Sequence, residues 1–177
     1  DGKPVEPEWP EADVIIGNPP FLGGKRIRTE LGDTYVDDLF NLYKGHVPHE
    51  ADLVCYWFER ARMLIESEQI KRAGLLATNS IRGGANRKLL DHIKKTGEIF
   101  MAWSDRAWVL DGAAVRVSII GFDKGQEKNY TLNGLKTDVI NADLTRTTNL
   151  SLTYRLVENM NLVFMGDTKG GPFDIES

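Results

Sequence analysis

Asn18-Pro19-Pro20-Phe21 is the stretch whose residue types could do chemistry, and it follows directly on the apolar run Val14-Ile15-Ile16-Gly17. Two consecutive prolines fix two φ angles and remove two backbone donors, while Asn18, standing before a proline, is pushed into an extended conformation. The result is a stiff turn that offers acceptors: the Asn18 amide oxygen and bare main-chain carbonyls, with the aromatic face of Phe21 beside them. Such a set suits a neutral amino group on a planar ring. The Asn18 side-chain oxygen and the Pro19 carbonyl can each accept one N–H, which keeps the nitrogen lone pair aimed at an electrophile while Phe21 stacks on the ring. The plain alternative for the same four residues is a rigid turn with no ligand.

Other candidates are weaker in kind. Lys25, Arg26 and Arg28 follow the turn on a Gly-rich loop, where they could meet phosphates or simply face water. Arg82, Arg87 and Lys88 surround Gly83-Gly84 at a helix start; a charged helix face is the ordinary reading and phosphate contact the other. His46 and His49 stand near Glu50 and Asp52, but Pro48 between the histidines spoils a helical ligand face and no cysteine lies near, so no metal site is expected. The lone Cys55 lies on a largely apolar stretch and reads as core rather than nucleophile.

The elements that must hold these residues show in the apolar periodicity. Val14 to Gly17 reads as a β-branched strand buried on both faces, with the turn at its carboxyl end, where open α/β sheets bind ligands. From Asp52 to about Glu68, Leu53, Val54, Trp57, Phe58, Ala61, Leu64 and Ile65 recur at three- and four-residue spacing, and the pattern predicts an amphipathic helix. Gly74 to Thr78 is a second short strand. A helix follows from about Ala85 to Lys95, ending at Gly97 as a left-handed stop. Ile99 to Trp103 and Val115 to Phe122 are further strands, and a hairpin is expected within the connectors from Lys124 to Leu150. Strands alternating with helices argue for a mostly parallel sheet with helical layers.

Composition sets the bounds. A chain of 177 residues is enough for one domain. With 22 Lys+Arg against 26 Asp+Glu the net charge is -4, so the bulk basic excess of a protein that holds nucleic acid electrostatically is missing and phosphate contacts must be local. Hydrophobic and charged fractions of 41% and 27% exclude general disorder and collagen-like sequence. No apolar run approaches the roughly 20 residues of a membrane span, and no apolar signal segment opens the chain, so an intracellular location is expected.

At Asn18-Pro19-Pro20-Phe21 the sequence resembles the N6-adenine DNA methyltransferases that use S-adenosylmethionine, whose motif is [N/D/S]-P-P-[Y/F/W]. The longer run Ile15 to Lys25 (I-I-G-N-P-P-F-L-G-G-K) is similar to the large methyltransferases fused to, or acting with, restriction-modification and phage-defence systems. Further stretches continue the likeness to Phe122: the helix from Asp52, G-L-L-A-T-N-S, and Asp111-Gly112-Ala113-Ala114-Val115-Arg116-Val117-Ser118-Ile119. Leu156-Val157-Glu158-Asn159 through Phe164 and Gly166 resembles the passage into a target-recognition region. The resemblance implies half of a Rossmann-like methyltransferase sheet, three-layered αβα and mostly parallel with an antiparallel late strand. It implies double-stranded DNA as partner, an adenine flipped out of the duplex, and a methyl group taken by its N6. Asn18, Pro19, Pro20 and Phe21 would be catalytic, with Asn18 also facing the cofactor. A second aromatic often completes the base sandwich, and Trp108 is the candidate, with Trp103 next. Lys25, Arg26, Arg28, Arg82 and Arg87 would meet DNA.

The same resemblance divides the chain into a catalytic half, residues 1–123, and a connector with the beginning of a recognition region, residues 124–177. A cytoplasmic, prokaryotic setting goes with it. The glycine-rich cofactor loop such enzymes carry is not matched before Ala12, and Phe164 to Gly171 matches it only superficially, with no room for the helix that should follow. The expectation is therefore a fragment, inactive alone, that binds S-adenosylmethionine weakly or not at all. Its Val14–Ile16 strand should then present an edge that either self-associates or is covered by the N-terminal segment. Two other readings share the motif or the fold: an amino methyltransferase acting on protein glutamine or RNA guanine, and a non-catalytic module that binds DNA or a partner.

Overall fold

The computed structural model describes residues 4–110 and 113–146. In chain order the elements are β1 (Val14–Gly17), α1 (Ile27–Leu31), α2 (Asp33–Leu42), α3 (Val54–Glu66), β2 (Arg72–Thr78), α4 (Gly84–Thr96), β3 (Glu98–Leu110), β4 (Ala113–Asp123), β5 (Tyr130–Leu132) and β6 (Leu135–Thr137). The strands form one six-stranded sheet in the order β1-β2-β4-β3-β5-β6. β1 runs parallel to β2, β4 runs antiparallel to both of its neighbours, and β5 runs parallel to β3 and antiparallel to β6. Four of the six strands thus point the same way, with the late strand β4 reversed as expected.

The helix positions follow the apolar spacing. On α3, Val54, Phe58, Ala61, Leu64 and Ile65 are buried, and Phe58 stacks on Phe122 of β4 with ring centroids 5.9 Å apart. On α4, Leu89, Leu90 and Ile93 turn inward and Lys94 and Lys95 occupy the last turn, where positive charge complements the helix dipole. The strand residues beneath them alternate: Ala73, Leu75 and Ala77 of β2 are buried and their neighbours only half so. Ile99, Ile120 and Phe122 join the same core.

The structure corrects three sequence expectations. β1 is not buried on both faces, because Val14 is 42% and Ile16 84% exposed. Their side of the sheet also carries half-exposed Gly74 and Leu76, so the helical cover lies on the opposite side. Gly97 is not a left-handed stop: its φ of −169° and ψ of −152° are extended. A glycine is needed there because an added Cβ would lie 2.1 Å from the Asp123 carbonyl oxygen, where the start of β3 meets the end of β4. The N-terminal segment does not run along β1 either. Trp9 packs against the core, and Glu6 pairs with Arg60 of α3.

The hairpin expected after Lys124 is β5–β6. It turns at Asn133-Gly134 with φ of 54° and 80°, the pair of positive values that a two-residue Asn-Gly turn requires. It extends the sheet beside β3. Val139 and Ile140 form no strand. The stretches from Leu156 to Gly166 and from Phe164 to Gly171 lie outside the described residues.

Candidate active site

β1 ends at Gly17, paired with Leu75, and the chain leaves the sheet through Asn18-Pro19-Pro20-Phe21. Asn18 and Pro20 are exposed, Pro19 is buried, and Phe21 is half-buried with part of its ring against the core. Neither the Asn18 amide nor the Pro19 carbonyl makes a hydrogen bond to any described residue. The Asn18 amide on this proline-stiffened turn is therefore open to a ligand, and leaving it unpaired costs little because Asn18 faces water, while the Pro19 carbonyl is unpaired on a buried residue.

The turn is held at its far end. Leu53 N–H donates to the Leu22 carbonyl at 2.8 Å, and Gly24 N–H donates to Asp52 Oδ1 at 3.0 Å. Gly24 admits no side chain, since a Cβ would sit 2.3 Å from the Glu50 carbonyl oxygen. Asp52 Oδ2 accepts from Ser80 Oγ at 2.6 Å and from Asn86 Nδ2 at 2.8 Å. Asn86 Oδ1 in turn accepts from Asp52 N–H at 2.7 Å. The loop after β1, the start of α3 and the loop after β2 thus meet at one carboxylate. Sequence periodicity assigned Asp52 to starting a helix; its side chain instead makes no capping bond to α3 and reaches across to the loops.

The basic residues are not on an open loop. Gly24 to Arg26 form a single 3-10 turn and Arg28 lies in α1. Arg26 pairs with Glu30 at 2.5 Å, and Arg28 with Asp37 at 2.6 Å and Asp33 at 2.9 Å. The hydrogen bonds that Arg28 donates to Asp37 and Asp33 raise its guanidinium above the usual range. Lys25 is exposed and makes no such pair among the described residues. Arg82 donates its Nε–H to the Asp143 carbonyl at 3.0 Å, while Arg87 and Lys88 stand on the first turns of α4 without an ion pair among the described residues.

Trp108 is not on a loop but within β3, opposite Val115, and 38% exposed. β2 stops at Thr78, opposite Val117, whereas β3 and β4 continue beyond it to Leu110 and Ala113. Because β3 runs in the direction of β1, this two-stranded ribbon overhangs the same end of the sheet from which Asn18 to Phe21 emerge. A register shift between Trp103 and Arg106 marks a bulge. The Ser104 N–H at the bulge is satisfied by Asn133 Oδ1 at 2.9 Å. Trp103 is half-buried beneath the Arg106 guanidinium, 4.5 Å from its ring centroid. The hydrogen bond from Arg116 lowers the Asp105 carboxyl below its ordinary range.

The histidines and the cysteine have other partners. His46 Nδ1 lies 2.9 Å from Glu59 Oε1, and the His49 ring stacks on Phe40 at 4.3 Å. Among the described residues no group of three or more potential ligands gathers for a metal. Cys55 is fully buried, and that burial pushes its thiol up, away from a reactive thiolate. A cavity of about 310 Å³ lies between the N-terminal segment and α2 and α3, lined by Trp9, Tyr35, Tyr56 and Arg60 among others. None of Asn18 to Phe21 lines it. No described helix is long and apolar enough to cross a membrane.

A motif-bearing strand with one parallel neighbour, then an antiparallel late strand, with N-P-P-F at the carboxyl end, is the architecture of a Rossmann-like methyltransferase sheet. Residues 4–133 match the family described as MmeI, DNA-methyltransferase domain, and the chain belongs to that family. Among solved structures, the type IIL restriction-modification enzyme MmeI in complex with DNA matches with a TM-score of 0.63 and 26% sequence identity. The match covers 77% of this chain and 20% of that one, so the chain spans about a fifth of its neighbour's length. No curated protein matches.

Proposed function

We propose that this chain supplies the catalytic half of a DNA methyltransferase of a restriction-modification system, acting on the N6 amino group of an adenine flipped out of double-stranded DNA. The observation that carries the reading is the pair of free acceptors, Asn18 Oδ1 and the Pro19 carbonyl, on a stiff turn beside Phe21, in a chain of the MmeI methyltransferase family. S-adenosylmethionine, when bound, would supply a methyl group on a sulfonium, and Asn18, with its exposed amide, is the residue of this chain that would face it.

The chain's own residues do the orienting. The two acceptors take one amino hydrogen each, which localises the nitrogen lone pair, and Phe21 offers its face to the ring. Extruding the base costs a few kcal/mol, which these contacts offset. The amino nitrogen becomes acidic only as its new bond to carbon forms, so no strong general base is required and the proton passes to solvent. Trp108, overhanging the same end of the sheet, is the proposed second face of the base sandwich. Lys25 and Arg87 are the cations most available for phosphates; Arg26, Arg28 and Arg82 would contact DNA only by leaving or sharing their present partners.

Residues 1–123 form the proposed catalytic half and 124–177 the connector and start of target recognition, the connector beginning with the hairpin that joins the sheet. A cytoplasmic setting goes with such an enzyme. In the full-length enzyme, Asn18→Ala is expected to abolish methyl transfer to duplex DNA, read by incorporation of labelled methyl, while calorimetric binding of S-adenosylmethionine persists. Turnover at the wild-type rate would sink the assignment.

A further inference from the structure

Asp52 makes no ion pair among the described residues, yet its half-buried carboxylate accepts three hydrogen bonds from neutral donors on three segments. Only an acceptor-only group satisfies Gly24 N–H, Ser80 Oγ and Asn86 Nδ2 together in this arrangement. The N-P-P-F turn has two anchors. Upstream, Gly17 is locked in the parallel ladder with β2; downstream, Leu22 and Gly24 are tied to residues 52 and 53. Between the anchors the two prolines leave little slack, so a displacement at Gly24 passes to Asn18.

We infer that Asp52 is a positioning residue for methyl transfer: it fixes the height of the N-P-P-F turn against the loop after β2, and Asn86 holds Asp52 in register. The inference rests on the methyltransferase reading above, and it adds a residue outside the motif through which the motif's geometry is set. A misplacement of about 1 Å at a reacting centre can lower a rate by roughly a hundredfold. Asp52→Asn places an amide where three donors converge, so one N–H meets another. Exchanging the pair, Asp52→Asn with Asn86→Asp, restores an N–H···O contact between the two positions and leaves an amide oxygen at position 52 for Gly24 N–H.

The full-length enzyme tests this. Asp52→Asn is expected to lower kcat about tenfold or more, with KM for duplex DNA and the melting temperature little changed, and the exchanged double variant is expected to recover most of kcat. Ser80→Ala, which deletes one donor only, is expected to lower kcat by a smaller factor. Amide hydrogen exchange at Gly24, read by mass spectrometry and independent of turnover, should rise in Asp52→Asn and fall back in the double variant. Wild-type kcat in Asp52→Asn, unchanged Gly24 exchange, or a loss that tracks melting temperature and is not rescued by the exchange overturns the positioning role. A wild-type enzyme that moves no methyl group would instead bring down the functional reading, with the Gly24 exchange still deciding the anchor.

Discussion

Asn18 and Pro19 keep their acceptors free because the backbone around them has nothing to donate: the two residues that follow Asn18 lack an N–H. That is visible in four letters of sequence, and so was the buried, unreactive Cys55. What four letters do not show is which neighbours fill a cation's hydrogen-bonding capacity. Arg26 and Arg28 read as open phosphate contacts, yet Glu30, Asp33 and Asp37 lie close enough on the helical turns to claim them. Gly97 makes the same point. Its place after a helix suggests a conformational reason, whereas the cause is a close approach between distant backbones. Gly97→Ala should therefore destabilise the fold by about 1–3 kcal/mol through overpacking, seen as a lower urea midpoint at unchanged slope. A left-handed stop would be strained by alanine too, but swapping in asparagine separates the causes: Asn tolerates positive φ and would rescue only a stop. Equal or greater loss with Asn supports the contact.

At the scale of elements, α3 and α4 were legible because their apolar residues recur cleanly and their polar faces stay polar. α1 and α2 were not. In Asp33 to Leu42 only Val36 is buried, while Tyr35 and Leu42 are exposed, so no apolar stripe separates from the acids around it. The ribbon of β3 and β4 was legible only in its core-facing part, since Ser104-Asp105-Arg106 reads as a break and a bulge repaired by Asn133 has no local signature. Inside α3 lies a feature periodicity gets wrong by kind. Glu59, an acid in an amphipathic helix whose apolar stripe leaves it out, is fully buried. It accepts from Arg62 at 2.9 and 2.7 Å, and Arg62 also reaches Glu66 and Thr96. Removing Arg62 strands the fully buried Glu59 carboxylate, so Arg62→Leu alone should cost about 3–5 kcal/mol, while Glu59→Leu with Arg62→Leu should cost much less. Urea unfolding of the two single variants and the double closes that cycle; additive losses would show that the pair is not coupled.

At the scale of the molecule, the described residues cover the sheet unequally, and the side they leave exposed is continuous with its exposed edge. β1 pairs with β2 alone among the described residues, leaving its outer backbone groups open, and Val14 and Ile16 add apolar side chains on the uncovered face. A mostly parallel sheet with a reversed late strand was legible in the sequence and its family resemblance, but what lies against β1 was not, because strand pairing is set by partners far along a chain or in another chain. An edge of this kind, apolar and without a charge or bulge on Val14 to Gly17, invites pairing. The chain studied by itself should accordingly self-associate through β1, its weight-average mass by sedimentation rising with concentration. Ile16→Lys places a charge on the strand and removes the burial of one isoleucine, about 1.5–3 kcal/mol, so the association constant should fall roughly tenfold or more. Val139→Lys, an exposed apolar residue off the sheet, should leave association unchanged. A wild-type chain that stays monomeric at every concentration, or an equal effect from both substitutions, would show that the β1 edge is not the contact.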